Sequence, residues 1–379
     1  MYCERHTACS LRFQSTTDEL NILQRLIADK AAALDLAIAV TGRVPPNSSD
    51  VTRFQCWLSK VPVLEPIDGA VLLFYQYCDV DQPQMLQEWQ QALCELLRLR
   101  GRIHVGVEGL NGTLGGSHNA IKLYKEALQT HVKWSHNFAG MVFKESPGGR
   151  HCFPNLFVRL CREICQMNSS PEDIHWRDGG QHLPPNEFHQ LVQEMNKKDT
   201  GDTVLLDVRN FYESAVGHFD GAVRIPTRHF TDFPTVADEL IDSLQLRKKK
   251  RVLMYCTGGI RCERASAYLR SKGVTQCFQL LGGIHNYVEE LGEHTLFRGR
   301  NFVFDRRLTT DRVGTTVPNG KCTSCSTLHD EYDKNLSCRG CFCLLLVCQK
   351  CRVTLSNEKV ASENMYCSTC QSKRQTVTT

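Results

Sequence analysis

Apolar residues fall into three rhythms along this chain, and each predicts a different kind of element. In the first rhythm, Gly69 to Gln76 is a short apolar run that predicts a strand. Gln84 to Arg98 then repeats apolar side chains at helical spacing through Leu86, Trp89, Leu93, Leu96 and Leu97. Arg102 to Val107 alternates apolar with polar, as a half-buried strand does. After Asn111-Gly112-Thr113-Leu114-Gly115-Gly116 comes a predicted helix from Asn119 to Gln129, then predicted strands at Met141 to Lys144 and Leu156 to Leu160. This β-α-β-β-α-β order with one additional strand predicts a ferredoxin-like (acylphosphatase-like) α+β domain over 68–168.

The second rhythm consists of short, solid apolar runs. Val204 to Val208 and Arg251 to Tyr255 read as strands, the latter an interior strand of a parallel sheet, and Arg261 to Lys272 reads as a helix. Between strand and helix stands Cys256-Thr257-Gly258-Gly259-Ile260-Arg261-Cys262. Paired glycines let the backbone turn tightly enough for several N–H groups to face inward, a concavity suited to an anion. With the positive end of the following helix and the Arg261 guanidinium, they favour thiolate over thiol at Cys256. A free cysteine is more often a small buried hydrophobe. That role needs neither the glycines nor the arginine, so Cys256 and Arg261 are the candidate catalytic pair. Only four residues separate them, whereas a cysteine phosphatase signature has five. The shorter loop suits a sulfur-sized group better than phosphate, although Arg264 on the next helical turn keeps the phosphatase reading open.

The third rhythm is a scarcity of apolar residues over 318–371, relieved by cysteine. Cys322/Cys325, Cys338/Cys341, Cys348/Cys351 and Cys367/Cys370 are four Cys-x-x-Cys pairs separated by twelve, six and fifteen residues. Each pair can give two thiolates to one tetrahedral metal. Eight ligands predict two structural zinc ions, held either consecutively or interleaved, with Cys343 as a spectator. Such a segment lacks a core without metal, so binding and folding should be coupled.

Composition limits what else the chain can do. Its 379 residues predict two or three domains, and 41% hydrophobic residues is ordinary for a globular protein. A net charge of +4 does not announce a nucleic-acid binder, and no apolar run is long enough to span a bilayer. No secretory h-region opens the chain, so its twenty cysteines predict a reducing, cytoplasmic setting rather than a disulfide framework. Met1 to Thr17 carries only a faint composition of a mitochondrial presequence. Residues 1–67 form a separate N-terminal segment, helical in pattern from Leu20 to Ala39, with a linker at Arg43 to Asp50. Its Cys3-x-x-His6-x-x-Cys9 offers three metal donors, fewer than a closed zinc site needs. No organic cofactor motif is evident.

Two basic clusters bear on partners. Arg247 to Arg251 precedes the Cys256 strand, and Arg298, Arg300, Arg306, Arg307 and Arg312 follow the predicted parallel-sheet domain. Either could track phosphates, and the later group is favoured because the earlier lies at the strand end away from the loop. Phe297, Phe302 and Phe304 could stack on bases, although an alternating Phe-Val-Phe is more often a core strand.

Several of these segments together resemble a known family. Val204 to Arg209, Tyr212-Glu213, Gly217 to Ala222 and Leu280-Leu281-Gly282-Gly283-Ile284 resemble the opening and closing signatures of a rhodanese domain, here spanning 185–300. The resemblance implies that Cys256 carries a persulfide, that the backbone of Thr257, Gly258, Gly259, Ile260, Arg261 and Cys262 cradles it, and that Asp207 and Arg209 belong to a supporting shell. Adding Val105 to Thr113, Phe143 to Pro147, Asn301 to Asp305 and the cysteine-rich end, the chain resembles the rhodanese-containing tRNA uridine hydroxylases of bacteria. That implies an oxygen-dependent 5-hydroxylation of the tRNA wobble uridine that needs the loop cysteine. Two enzymatic outcomes follow, sulfur transfer from a donor such as thiosulfate and tRNA modification. A rhodanese fold kept only for binding, with zinc elements as docking surfaces, is the alternative.

Overall fold

The computed structural model of the protein describes residues 69–131, 133–169, 172–197, 201–357, 365–367, 370–371 and 374. The segment 1–67, with its predicted helix, linker and Cys/His cluster, lies outside the described residues. Two compact units emerge. Among the described residues, one comprises 69–72, Asp79–Val105 and Gly112–Leu160; the other comprises Leu73–Cys78, Gly106–Asn111 and the chain from Cys161 onward.

The first elements are β1 (Gly69–Tyr77), α1 (Pro83–Leu96), β2 (Arg100–Gly106), β3 (Gly109–Gly116), α2 (His118–Thr130), α3 (Ser135–Phe138), β4 (Phe143–Gly148) and β5 (Leu156–Leu160). Their strands order as β4-β1-β3-β2-β5. The first four form the split arrangement expected of a ferredoxin-like domain, and the additional strand pairs parallel with β2 at the edge. Helix α1 starts on a proline, whose missing N–H costs nothing there, and buries Leu86, Trp89 and Leu93 as their spacing predicts. Ser117 caps α2 by accepting from the Ala120 N–H. The largest shift is β4, which runs Phe143–Gly148 rather than Met141 to Lys144; β1, α1, β2 and α2 differ from their predicted spans by one or two residues at an end.

The next elements are β6 (Gln181–Leu183), α4 (Pro185–Lys197), β7 (Thr203–Asp207), α5 (Phe211–Ala215), β8 (Gly217–Phe219), β9 (Val223–Arg224), α6 (Phe233–Ser243), β10 (Arg251–Tyr255), α7 (Ile260–Ser271), β11 (Cys277–Leu280) and α8 (Gly283–Leu291). Strands order as β6-β11-β10-β7-β9, each pair parallel. The central strand β10 is apolar on both faces because both are covered. Val252 and Met254 enter a core with Phe233, Ala237 and Ile241 of α6 and Ala265 and Leu269 of α7. Leu253 and Tyr255 enter another with Phe188 and Val192 of α4 and Ile284 and Tyr287 of α8. Each such apolar side chain stabilises the fold by about 1.5–3 kcal/mol. In an open parallel sheet, sites form at the carboxyl ends of the central strands. Cys256 is the first residue beyond β10.

The chain ends with β12 (Phe297–Phe302), β13 (Thr309–Val313), β14 (Tyr332–Ser337), β15 (Leu344–Leu346) and α9 (Gln349–Asn357). Strand β12 lies antiparallel between β13 and β8. Strands β14 and β15 pair antiparallel beside a core made mostly of cysteine. Among the described residues, no helix is long and apolar enough to cross a membrane.

Candidate active site

The turn from β10 into α7 aims backbone donors at one sulfur. The Gly259 N–H donates to Cys256 Sγ at 3.1 Å, and the Arg261 N–H and the Cys262 thiol also donate to it. Cys256 is 1% exposed. Burial is the largest single influence on this thiol and pushes it up. The Cys262 hydrogen bond, the Arg261 charge and the two N–H groups together outweigh burial and bring it down to about 5. At neutral pH the sulfur is a thiolate.

The glycines matter for separate reasons. Gly259 has φ +104°, a conformation that side chains rarely adopt, and a Cβ there would stand 2.7 Å from the Tyr75 hydroxyl. At Gly258 a Cβ would meet Leu73 Cδ2, the far end of a side chain, at 2.9 Å, so Leu73 would have to give way. Leu73 and Tyr75 belong to the second unit with the loop they touch. From below, the first turn of α8 holds the loop: the Ile284 N–H donates to the Cys256 carbonyl and the His285 N–H to that of Thr257. The Leu280 to Ile284 motif serves this grip.

Arg261 does more than face the sulfur. Its guanidinium donates to both oxygens of Glu213 at 2.6 Å each, and Thr257 Oγ1 stands 3.5 Å from the same carboxylate. Glu213 is fully buried on α5 and also accepts from the Asn210 N–H at 3.1 Å. The guanidinium is therefore fixed in a fork-to-fork geometry rather than swinging freely over the loop. Sequence reading quoted Glu213 as part of a signature but gave it no role.

Asp207 and Arg209 are fully buried and joined by two bonds, Arg209 Nε to Asp207 Oδ1 at 2.8 Å and Nη2 to Oδ2 at 2.6 Å. Arg209 also donates to the Gly217 carbonyl, and the Tyr255 hydroxyl donates to Asp207 at 2.8 Å. The pair thus ties β7 to β10 and to the start of β8, one strand away from Cys256. Arg264, which sequence reading left available to an anion, is turned away from the loop. Its guanidinium donates to the Ile174 and Ser169 carbonyls at 2.7 Å each and to Glu108 at 3.2 Å. The phosphatase alternative loses its second arginine.

Local spacing gave no signal for three further neighbours. Glu263 accepts from Tyr75 Oη at 3.2 Å and Gln279 Nε2 at 2.9 Å, and stands 2.9 Å from His182 Nε2. Burial first, then the Glu263 and Cys256 charges, push the Tyr75 hydroxyl well up, so it keeps its proton. Cys165 is a second thiol close enough to feel Arg261 and Cys256, and burial pushes it up.

Most of the arginines in the basic clusters meet carboxylates. Arg298 pairs with Asp220 at 2.6 Å, Arg312 with Asp330 at 2.6 Å, Arg300 with Asp330 at 3.4 Å, and Arg307 Nε with Asp305 at 2.8 Å. Arg247 pairs with Asp242, Lys250 with Asp202 and Arg251 with Glu194. Lys248 and Lys249 instead meet the Gln245 amide oxygen and the Gly201 carbonyl, so the first run keeps part of its charge.

In the cysteine-rich end the pairs interleave. Sulfurs of Cys322, Cys325, Cys348 and Cys351 all lie within 4.8 Å of one another, as do those of Cys338, Cys341, Cys343 and Cys367. The Cys348 N–H donates to Cys322 Sγ, and the Gly340 and Cys367 N–H groups donate to Cys338 Sγ. Four converging sulfurs, with amides supporting a thiolate in each set, fit a tetrahedral thiophilic metal. Cys343, expected as a spectator, stands 3.3 Å from Cys341 inside the second group. Cys370, expected as a ligand, is buried beside Gly340, where a Cβ would stand 2.9 Å from its sulfur. The second group thus has five thiols at hand.

Comparison with known proteins gives three family matches: the UPF0176 acylphosphatase like domain over residues 69–164, the rhodanese-like domain over 187–290 and the rhodanase C-terminal domain over 298–371. A tRNA uridine(34) hydroxylase of Corynebacterium efficiens is 35% identical over 289 residues, 75% of this chain and 89% of that protein. One of Cytophaga hutchinsonii is 39% identical over 267 residues, 70% of this chain and 80% of that protein. Rhodanese-like domain-containing protein 6 of Arabidopsis thaliana is 36% identical over 304 residues, and the match spans 75% of this chain and about half, 51%, of that protein.

Proposed function

Since this chain belongs to the tRNA uridine(34) hydroxylase family, we propose that it is an enzyme that modifies the wobble uridine of tRNA through thiol chemistry at Cys256. The observation that carries the reading is the sulfur itself, buried, charged at neutral pH and held by inward N–H groups. A fold kept only for docking has no use for such a sulfur. Cys256 is the nucleophile, and Arg261, held by Glu213, stabilises the negative charge on it or on a group bonded to it. The backbone from Thr257 to Cys262 is the cradle. Asp207 and Arg209 act at one remove by fixing β7 against β10.

The half-reaction open to this site is sulfur loading. The Cys256 thiolate attacks the outer sulfur of thiosulfate; a sulfur–sulfur bond forms to Cys256 as the donor's own breaks, and sulfite leaves with the electron pair. The product is a Cys256 persulfide, whose outer sulfur an acceptor can then take. Thiosulfate serves here as a donor of the right chemical class.

We further propose that the two four-sulfur groups each hold a structural zinc ion, whose part is to close a region that has little other core. Cys322, Cys325, Cys348 and Cys351 form one set; Cys338, Cys341 and Cys367 belong to the other, with Cys343 or Cys370 completing it. The functional divisions are 68–168, 185–300 and 318–371, preceded by 1–67. We propose a reducing, cytoplasmic setting, which suits a chain that uses so many cysteines as thiols and metal donors.

The test is nucleoside mass spectrometry of tRNA from cells lacking the protein, complemented with wild type or Cys256→Ser. A hydroxylated wobble uridine should be lost and restored by wild type alone. Full restoration by Cys256→Ser would remove Cys256 from the reaction. Purified protein given thiosulfate should gain one sulfur's mass on the peptide bearing Cys256.

A further inference from the structure

Beyond β12 the chain continues as Val303-Phe304-Asp305 before turning into β13. Three phenylalanines line this stretch, and the fold treats them differently. Phe297 and Phe302 are in the core, whereas Phe304 keeps 46% of its surface exposed. Its ring is nonetheless braced, standing edge-on to Phe302 at 5.3 Å between centroids. Phe302 in turn packs edge-on against Tyr212 and Tyr332. The turn that follows is pinned by the Asp305 carboxylate, which accepts from the Arg307 N–H at 2.9 Å and from its Nε at 2.8 Å.

The neighbour of the exposed ring is what gives it meaning. The Arg261 guanidinium lies 5.6 Å from the Phe304 ring centroid, and the backbone N–H of the same arginine serves the Cys256 sulfur. A flat, fixed and solvent-facing aromatic ring therefore stands beside the reactive loop. Arg298, Arg300 and Arg312 of β12 and β13, which could have gripped phosphate instead, are paired with carboxylates. Recognition next to Cys256 has an aromatic face at its disposal.

We propose that Phe304 is a stacking platform for a nucleobase of the RNA substrate, setting how the target uridine is presented to Cys256. This rests on the tRNA reading above. Every base has a π-face, and stacking on a protein aromatic strengthens single-stranded contacts without hydrogen-bond readout. The adjoining guanidinium adds a cation beside the stack.

The experiment uses the full chain and an anticodon stem–loop with uridine at the wobble position. Binding is measured by titration and modification by nucleoside mass spectrometry, with thermal melting as the check on folding. Phe304→Ala should weaken binding and raise KM by about tenfold to a hundredfold while melting as wild type does. Phe304→Trp should restore both. If Phe304→Ala binds and modifies the stem–loop as wild type does, or if Phe304→Trp melts as wild type does yet fails as badly as alanine, the platform is overturned. A wild type inert towards the stem–loop overturns the tRNA reading and the platform with it.

Discussion

Replacing Cys262 by alanine probes how the Cys256 sulfur keeps its charge. The ordinary value for such a thiol is 9.0 and that of Cys256 is about 5. The difference favours the thiolate by about 5 kcal/mol, at about 1.4 kcal/mol for each tenfold. Burial opposes this, and the Cys262 hydrogen bond is the largest of the opposing influences. Hydrogen bonds to charged groups contribute about 1.5–3 kcal/mol, so Cys262→Ala should move the midpoint up by about one to two pH units. Reactivity at pH 7 alone is a poor readout. A lower pKa raises the thiolate fraction about a hundredfold there, but nucleophilicity falls along a Brønsted slope of about 0.4–0.5, and the two nearly cancel. The profile separates them. Because the folded thiol loses its proton early, wild-type alkylation should be flat above about pH 6 and fall tenfold per unit only below about pH 5. Iodoacetamide labelling in steps between about pH 4 and about pH 9, quantified on the tryptic peptide 252–261, isolates Cys256 from Cys262. A wild-type rate still climbing tenfold per unit at about pH 8, or an unmoved midpoint in Cys262→Ala, would refute the reasoning.

Other parts of the site give simpler expectations. Glu213→Ala leaves the Arg261 charge buried without its carboxylate and should cost about 3–5 kcal/mol in a denaturant titration; a loss under about 1 kcal/mol would mean that water replaces the carboxylate. Gly259→Ala forces a side chain into a left-handed turn against the Tyr75 hydroxyl. It should cost about 1–3 kcal/mol and slow sulfur loading, and wild-type loading would show that the loop can reshape. A chelator should strip close to two zinc ions per chain and unfold the cysteine-rich end, with metal analysis and far-ultraviolet dichroism as readouts; retained structure in metal-free protein counts against structural zinc. Comparing Cys343→Ser with Cys370→Ser by metal content decides the second site, since only loss of the true ligand should lower it.

The fold was legible wherever one element decides its own burial. β10 is apolar throughout because both its faces are covered, and α1 shows its buried stripe in its spacing. The turn at Gly258-Gly259 could be placed because paired glycines after an apolar strand mark a tight turn, and Gly259 takes the positive φ that such a turn requires. Long-range pairing was less visible. Arg261 reads as an anion holder until Glu213, forty-eight residues earlier, is seen clamping it. The arginines from Arg298 to Arg312 look like a phosphate stripe until Asp220, Asp305 and Asp330 are brought to most of them by the fold. Cys-x-x-Cys spacing identifies metal donors but not which pairs meet, because that depends on how β14 and β15 fold back. Cys343 stands outside the Cys-x-x-Cys spacing, and the left-handed turn at Phe342 sets its sulfur beside that of Cys341.

Arg264 has no exposed surface and depends on Glu108, which is 156 residues away along the chain and a neighbour only in space. Leu73 and Tyr75 reach the glycines of the reactive loop in the same way. A fragment trimmed to the sulfur-handling sheet alone would thus keep its nucleophile yet strand a cation in its interior and uncover the turn beside it. Excision, a routine way to study one portion of a longer chain, would here manufacture a different molecule.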